Sequence, residues 1–237
     1  KKLDVVWNLT LAANIISANV PYGDIEAIKA VSGVEDVVLE TRYEPAVVGT
    51  DPTDPNMATS SSMIGSSAAW AEGYTGAGTR IAVIDSGLDV DHPSLDPDAL
   101  KYALQGSNAT IMTEADLTDE VLNQLNAYTR KAGLTAADFY VNEKIPFGFN
   151  YVDADTDITH DNDTQGDHGS HVTGIAAGNR FVKDEAGNYV AALDSVMTQG
   201  VAPDAQILTM KVFGKGGGAY DSDYMVAIED AMVLGAD

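Results

Sequence analysis

Two positions in this chain pair a chemically useful residue with a useful place in the chain. The first is Asp85. It closes the run Arg80-Ile81-Ala82-Val83-Ile84-Asp85, an apolar stretch of the kind that lies buried on both faces of a parallel sheet. Ligands and catalytic groups of open α/β sheets gather at the carboxyl ends of such strands. A turn offers the competing use, with the carboxylate accepting from the amides of Ser86 and Gly87. The second is His168, in Asp167-His168-Gly169-Ser170-His171-Val172-Thr173-Gly174-Ile175-Ala176-Ala177-Gly178. A histidine opening a small-residue helix sits at the positive end of the helix dipole. That field favours the neutral imidazole a general base requires. An aspartate bound to its other ring nitrogen would set the tautomer and stabilise the imidazolium once formed. The competing use is a packed or capping histidine. His168 and His171 are three apart, which raises a metal site. Zinc normally takes a third protein ligand, and the other histidines are His92 and His160 alone, so no metal ligands are assigned.

Strand–helix alternation is what would position these groups, and it predicts an α/β domain. Ile207 to Phe213 reads as a second buried strand. Val172 to Ala177 reads as a helix, and so does Asp223 to Leu234, capped by Asp221 or Ser222 and stopped by Gly235. Ser66 to Ala71 reads as a short helix around Trp70. Ahead of this lies a smaller unit in residues 1–45. Val5 to Trp7 and Ile15 to Val20 look like strands, and Pro21-Tyr22-Gly23 like a turn. A helix follows from Asp24 to about Ala30, ended by Gly33, then a third strand from Val34 to Thr41. Residues 46–62, with Gly49, Pro52, Pro55 and a Ser/Thr cluster, read as an extended linker. The second region runs over 63–237. Residues 99–145 look like an insertion in it, with a helix-prone stretch from Thr113 to Gly133 carrying Leu117, Val121 and Leu125 at helical spacing.

Composition removes several classes of function. Thirteen basic against 36 acidic residues give a net charge of −23, which argues against nucleic-acid and anionic-membrane partners. There is no cysteine, so disulfides and thiol catalysis are excluded. At 237 residues the chain can bury a sizeable core without such staples. No run of 18 apolar residues exists that would span a membrane. The start, Lys1-Lys2-Leu3-Asp4, does not read as a signal peptide.

Together, the segments around Asp85 (Ile84-Asp85-Ser86-Gly87) and His168 (Asp167-His168-Gly169-Ser170-His171) resemble the catalytic Asp and His motifs of the subtilisin-like serine peptidases. Gly200-Val201-Ala202-Pro203-Asp204-Ala205, leading into Met210-Lys211-Val212-Phe213-Gly214, resembles the strand that follows the His helix in that family. The resemblance implies a subtilisin-like three-layer fold with a mostly parallel sheet. It implies Asp85 as the orienting acid, His168 as the general base and His171 as the family's second, non-catalytic histidine. Gly216, Gly217 and Gly218 fall where the family presents an edge strand to substrate backbone, and close backbone approach there suits glycine. The first 45 residues resemble part of a ferredoxin-like α+β inhibitory propeptide, with 46–62 as its processing segment; a small module without inhibitory role is the alternative. Pro146 to Asp153 and Thr159 to Asp163 resemble the large cell-envelope peptidases of Gram-positive bacteria, which implies a secreted or cell-wall-associated enzyme acting on protein and peptide substrates, with its own propeptide as intramolecular inhibitor.

The sequence also departs from the family pattern. No Gly-Thr-Ser nucleophile motif occurs, and Ser170 and Ser222 stand in other contexts. The expectation is therefore a fragment of a longer zymogen, with the serine and the side-chain oxyanion donor beyond Asp237. Aspartates cluster in 85–98 and 151–167. Asp153-x-Asp155-x-Asp157 begins like an EF-hand loop, but Ile158 and Thr164 stand where that loop needs Gly and Glu. The family's strong calcium site uses an Asp where this chain has Ser94, so that site is expected to be missing; calcium elsewhere stays open, and no other cofactor is implied. Two other classes compete with the peptidase. One is a non-catalytic module gripping peptide along Gly216–Gly218. The other is a Rossmann-like turn at Gly214–Ala219, against which Asp221 and Asp223 would repel a pyrophosphate.

Overall fold

The computed structural model describes residues 3–44, 60, 61, 63–161, 163, 166–196 and 198–237. The expected linker 46–62 lies outside the described residues except for Ser60 and Ser61. The N-terminal unit begins with β1 (Asp4–Leu9) and β2 (Ile15–Asn19), an antiparallel pair whose register shifts between Val5 and Trp7. Alternate residues Trp7 and Leu9 turn inward and are 3% and 0% exposed, the period of two that a one-sided strand requires. A 3-10 turn (Tyr22–Asp24) leads into α1 (Ile25–Lys29). The third strand expected over Val34–Thr41 does not form. Val38 and Leu39 are 76% and 72% exposed, and the segment pairs only at β3 (Arg42–Tyr43), in a sheet separate from β1 and β2. Glu40 meets β2 only through its side chain, which accepts from the Ser17 hydroxyl at 3.2 Å, and propensity without a backbone partner does not make a strand.

The second region opens with α2 (Ser66–Ala71) and β4 (Arg80–Asp85), as expected, and the insertion follows. It holds α3 (Pro97–Ala103), α4 (Asp119–Leu122), α5 (Asn126–Arg130) and α6 (Ala136–Phe139). The stretch from Thr113 to Gly133 is thus broken into short turns instead of one helix. Thr118 restarts the chain by accepting from the Val121 N–H, and a 3-10 turn at Glu114–Asp116 begins after Thr113. Its apolar residues still serve: Leu117, Leu122 and Leu125 are buried.

After the insertion come β5 (Phe147–Asn150), α7 (His168–Ala177), the antiparallel pair β6 (Phe181–Lys183) and β7 (Tyr189–Ala191), and α8 (Ala192–Ser195). The chain continues through β8 (Gln206–Lys211), β9 (Ala219–Tyr220) and α9 (Asp221–Val233). The last helix starts two residues before the expected Asp223, because the Asp223 carboxylate reaches back to the Tyr220 N–H at 3.0 Å.

β4, β8 and β5 form a parallel sheet in that order, with Asp85 opposite Lys211 and Phe147 opposite Leu208. All six residues of the central β8 are buried. Each face of the sheet has its own core. Leu208, Met210, Phe147 and Phe149 pack with Phe139, Tyr151, Val226 and Ala227 on one side. Val83 and Ile207 pack with Leu88, Ile145, Ile158 and Ala177 on the other. The fold is therefore α/β with α9 and the insertion covering one face and α7 the other, as doubly covered parallel strands require. Trp7 and Leu9 belong to the same core as α9, so the N-terminal unit packs as part of the molecule. Two buried polar side chains tie the insertion to β8. Gln206 exchanges hydrogen bonds with the Met112 backbone (2.6 and 2.8 Å) and donates to Glu143 O, and Lys144 Nζ donates to the carbonyls of Pro203 and Ala205 at 2.9 and 2.8 Å. Burial pushes the Lys144 ammonium down to about 7, and the nearby Asp204 charge only partly opposes it.

Candidate active site

Asp85 ends β4 and His168 begins α7, and the fold brings them into contact. Asp85 Oδ1 lies 2.7 Å from His168 Nδ1 and accepts the Ser86 N–H at 2.7 Å. One oxygen thus serves both as acceptor in the turn, from Ser86 of the two amides expected, and as partner of the histidine. The side chains are 14% and 24% exposed, so the pair is shielded yet reachable. The close fit of the turn against the helix makes this possible. A Cβ on Gly169 would stand 2.1 Å from Gly87 O and 3.0 Å from Gly87 N. Gly87 has a φ of +105°, and a Cβ on it would stand 2.5 Å from Ile158 O. Two serines stitch the junction: Ser86 Oγ accepts the Gly169 N–H at 3.1 Å, and Ser170 Oγ accepts the Asp89 N–H at 2.7 Å. With Nδ1 engaged, Nε2 is the ring nitrogen through which a proton can be exchanged with a substrate-side hydroxyl. His171 faces solvent one turn on. Among the described residues no three His, Asp or Glu side chains converge as a metal site.

Near Ser94 a cation of the chain's own is at work. Lys183 Nζ lies 2.9 Å from Asp96, while Asn179 donates to Ser94 O and Asp96 O at 2.7 and 2.8 Å. These contacts join the turn after His92-Pro93 to the segment leaving α7.

The glycine-rich stretch turns tightly, with the Gly217 N–H on Gly214 O at 3.0 Å, and leads into β9. That edge is occupied. β3 pairs antiparallel with β9, Arg42 opposite Tyr220 and Tyr43 opposite Ala219. Arg42 Nη2 donates to Gly217 O at 2.7 Å, and a Cβ on Gly218 would meet the guanidinium at 2.6 Å. Asp221 accepts the Thr41 N–H at 2.7 Å and the Tyr43 hydroxyl at 3.0 Å; the Tyr43 ring meets Tyr224 edge-on at 5.7 Å. Tyr224 has a raised pKa from burial first and then the negative charge of Asp85, so the occupied edge and the Asp–His pair are electrostatic neighbours. Gly216 has no such crowding, and its carbonyl is 3.5 Å from Arg42 Nη2.

The N-terminal hairpin is held along α9, by Asp223 in its first turn and by Glu229 further on. Trp7 Nε1 donates to Asp223 Oδ1 at 3.1 Å. Glu229 Oε1 accepts from the N–H groups of Leu11 (2.6 Å), Ala12 (2.8 Å) and Ala13 (3.4 Å). Burial would raise the Glu229 carboxyl, but these donors and the Asn126 amide outweigh it and hold it below the usual range. Burial raises Asp223, and it pushes Asp230 up to about 6 despite the donors of Ala127, Asn126 and Tyr151. From sequence, Asp221 stands as a helix cap and as a charge against a pyrophosphate, and Glu229 carries no signal. Their partners are between 103 and 218 residues away, and no local pattern signals such a contact.

The profile of the Subtilase family matches residues 76–237. The chain is 35% identical over 232 residues to the PI-type proteinase of Lactococcus lactis subsp. cremoris, covering 94% of this chain and 10% of that protein. It is 27% identical over 233 residues to the minor extracellular protease Vpr of Bacillus subtilis, covering 93% of this chain and 22% of that protein. Similarity to the C5a peptidase of Streptococcus pyogenes is 31% over 163 residues, 68% of this chain and 11% of the relative. The chain therefore spans between about a tenth and a fifth of the length of these relatives. No helix among the described residues is long and apolar enough to cross a membrane. The match over the whole α/β region, including β4 and α7 with their Asp85–His168 contact, places this chain in the subtilase family of peptidases.

Proposed function

We propose that this chain supplies the acid and the base of a serine endopeptidase whose nucleophile is carried by a later part of the same polypeptide. The observation behind this reading is the 2.7 Å contact of His168 Nδ1 with Asp85 Oδ1 at the mouth of the parallel sheet. In the reaction, His168 Nε2 takes the proton of the serine hydroxyl as its oxygen attacks the substrate carbonyl. Asp85 holds the tautomer and stabilises the imidazolium. His168 then gives that proton to the leaving amine, and water, deprotonated by the same nitrogen, releases the acyl group. The scheme draws on no cofactor. Substrates are extended peptides added along Gly216–Gly218 and β9 by strand pairing. The N-terminal segment, lying on that edge through Arg42 and Tyr43, acts as the chain's own inhibitor until it is processed between 44 and 62. Similarity to the minor extracellular protease Vpr of Bacillus subtilis supports a secreted or cell-wall location.

A second reading, a peptide-binding module without catalysis, draws on the same occupied edge. Labelling the longer, processed polypeptide with a serine-directed fluorophosphonate separates the two. Labelling that is lost in His168→Ala supports the peptidase. A folded, processed polypeptide that takes up no label refutes it and leaves the binding module.

A further inference from the structure

The insertion meets the N-terminal hairpin. α5 lies along β1, and the Arg130 guanidinium sits over the Trp7 ring, 5.4 Å from its centroid. A cavity of about 460 Å³ separates the two elements, walled by Val5 and Trp7 on one side and by Leu125, Asn126 and Arg130 on the other. α5 is five residues long and its N-cap, Leu125, offers no side-chain acceptor. A helix that short does not hold itself in water. Its first N–H groups are met from α9: Asp230 Oδ1 accepts from Asn126 and Asp230 Oδ2 from Ala127, at 2.7 and 2.9 Å. The neighbouring Glu229 carboxylate holds the hairpin turn through Oε1. Asn126 Nδ2 spans both acids, donating to Glu229 Oε2 and Asp230 Oδ1 at 3.1 Å each. One side chain of the insertion thus touches the carboxylate that grips the hairpin and the one that caps α5.

We propose that the 99–145 insertion is a recognition element for the chain's own N-terminal hairpin, and that docking of the hairpin and ordering of α5 are one coupled event. α9 alone offers the hairpin two carboxylates. The insertion adds the wall against which a Trp and a Leu two residues apart must fit. Undocking removes the ring beneath Arg130 and opens Leu125 and Asn126 to water, so α5 keeps its Asp230 cap but loses its packing on β1 when the hairpin leaves. By reciprocity, whatever loosens α5 loosens the hairpin by the same factor. The consequence is selectivity: an inhibitory segment without the Trp7/Leu9 pair would find α9 but not the insertion. This consequence rests on the N-terminal segment being the inhibitor. The docking itself does not, and the experiment reads docking whether or not the longer polypeptide is a peptidase.

Amide hydrogen exchange on the full chain tests it. Asn126→Ala and Arg130→Ala are expected to speed exchange at Leu11, Ala12 and Ala13 on the order of tenfold, within the range of ordinary site-to-site coupling. Amides of β6 and β7 stay at wild-type rates, as do all of these in the control Glu120→Gln. In the reverse direction Trp7→Ala is expected to speed exchange at Thr129 and Lys131, whose N–H groups close α5. Unchanged rates at 11–13 in both insertion variants overturn the recognition role. Unchanged rates at 129 and 131 in Trp7→Ala, with 11–13 accelerated, overturn the coupling.

Discussion

Two alanines in the same helix are expected to have opposite effects. Gly169 and Gly174 both lie in α7, where replacing glycine by alanine gains about 1 kcal/mol from helix propensity. At Gly174 a Cβ meets nothing within 4 Å, so Gly174→Ala is expected to stabilise the chain by about that amount. At Gly169 the new carbon stands 2.1 Å from Gly87 O, and both sides of the contact are backbone, with no rotamer to move. Reaching even a tight contact of 3.0 Å requires the first turn of α7 to back away from the Asp85 turn by about 1 Å. Overpacking of this kind costs roughly 1–3 kcal/mol, which cancels or exceeds the propensity gain. A 1 Å retreat also stretches the 2.7 Å Nδ1–Oδ1 contact past about 3.5 Å, where it no longer counts as a hydrogen bond. Urea unfolding gives the stability difference. Proton NMR of the imidazole gives the second readout, since an Nδ1 proton held by a carboxylate resonates far downfield and moves upfield when released. Gly169→Ala should be no more stable than wild type and should lose that resonance, while Gly174→Ala gains stability and keeps it. A Gly169→Ala chain with the gain of Gly174→Ala and an unmoved resonance would refute the account of how the pair is positioned.

Other predictions concern buried charge. Asp230 titrates near 6 in the folded chain, well above an unfolded aspartate, so the native state holds the extra proton between about pH 4 and 6. Stability should therefore fall as pH rises through that window, by on the order of 3 kcal/mol, and denaturation curves of Asp230→Asn should lose this slope. Lys144 is the mirror case, lowered to about 7, so the unfolded chain binds the extra proton from about pH 7 to 10. Stability should rise with pH over that range, and Lys144→Met should flatten the rise when melting is followed by circular dichroism.

Much of the site was legible in one dimension because its signals are local. An apolar run ending in Asp85 marks a buried parallel strand, and a His before small residues marks a helix start. β4, α2 and α9 form close to where periodicity and glycine stops put them. The errors arise where local pattern meets a missing or distant partner. Val34–Thr41 has the composition of a strand but makes no ladder with another strand. Thr113–Gly133 has helical spacing, yet Thr118 and the cap that Asp230 lends to α5 cut it into turns. Residues 45–59, where processing was expected, lie outside the described residues.

The sequence by itself determined the α/β class, the lack of cysteine in this chain and the choice of Asp85 and His168 as the candidate pair, because strand burial, helix starts and residue chemistry are written in neighbouring letters. Only the tertiary structure decided that Asp85 and His168 meet through one oxygen at 2.7 Å. It alone decided that Arg42 and Tyr43 cover the β9 edge, and that Glu229 and Asp230 hold the hairpin and the insertion side by side. These contacts join residues 83 to 218 positions apart. Their geometry depends on how the two cores stack on β8, which no window of neighbouring residues contains.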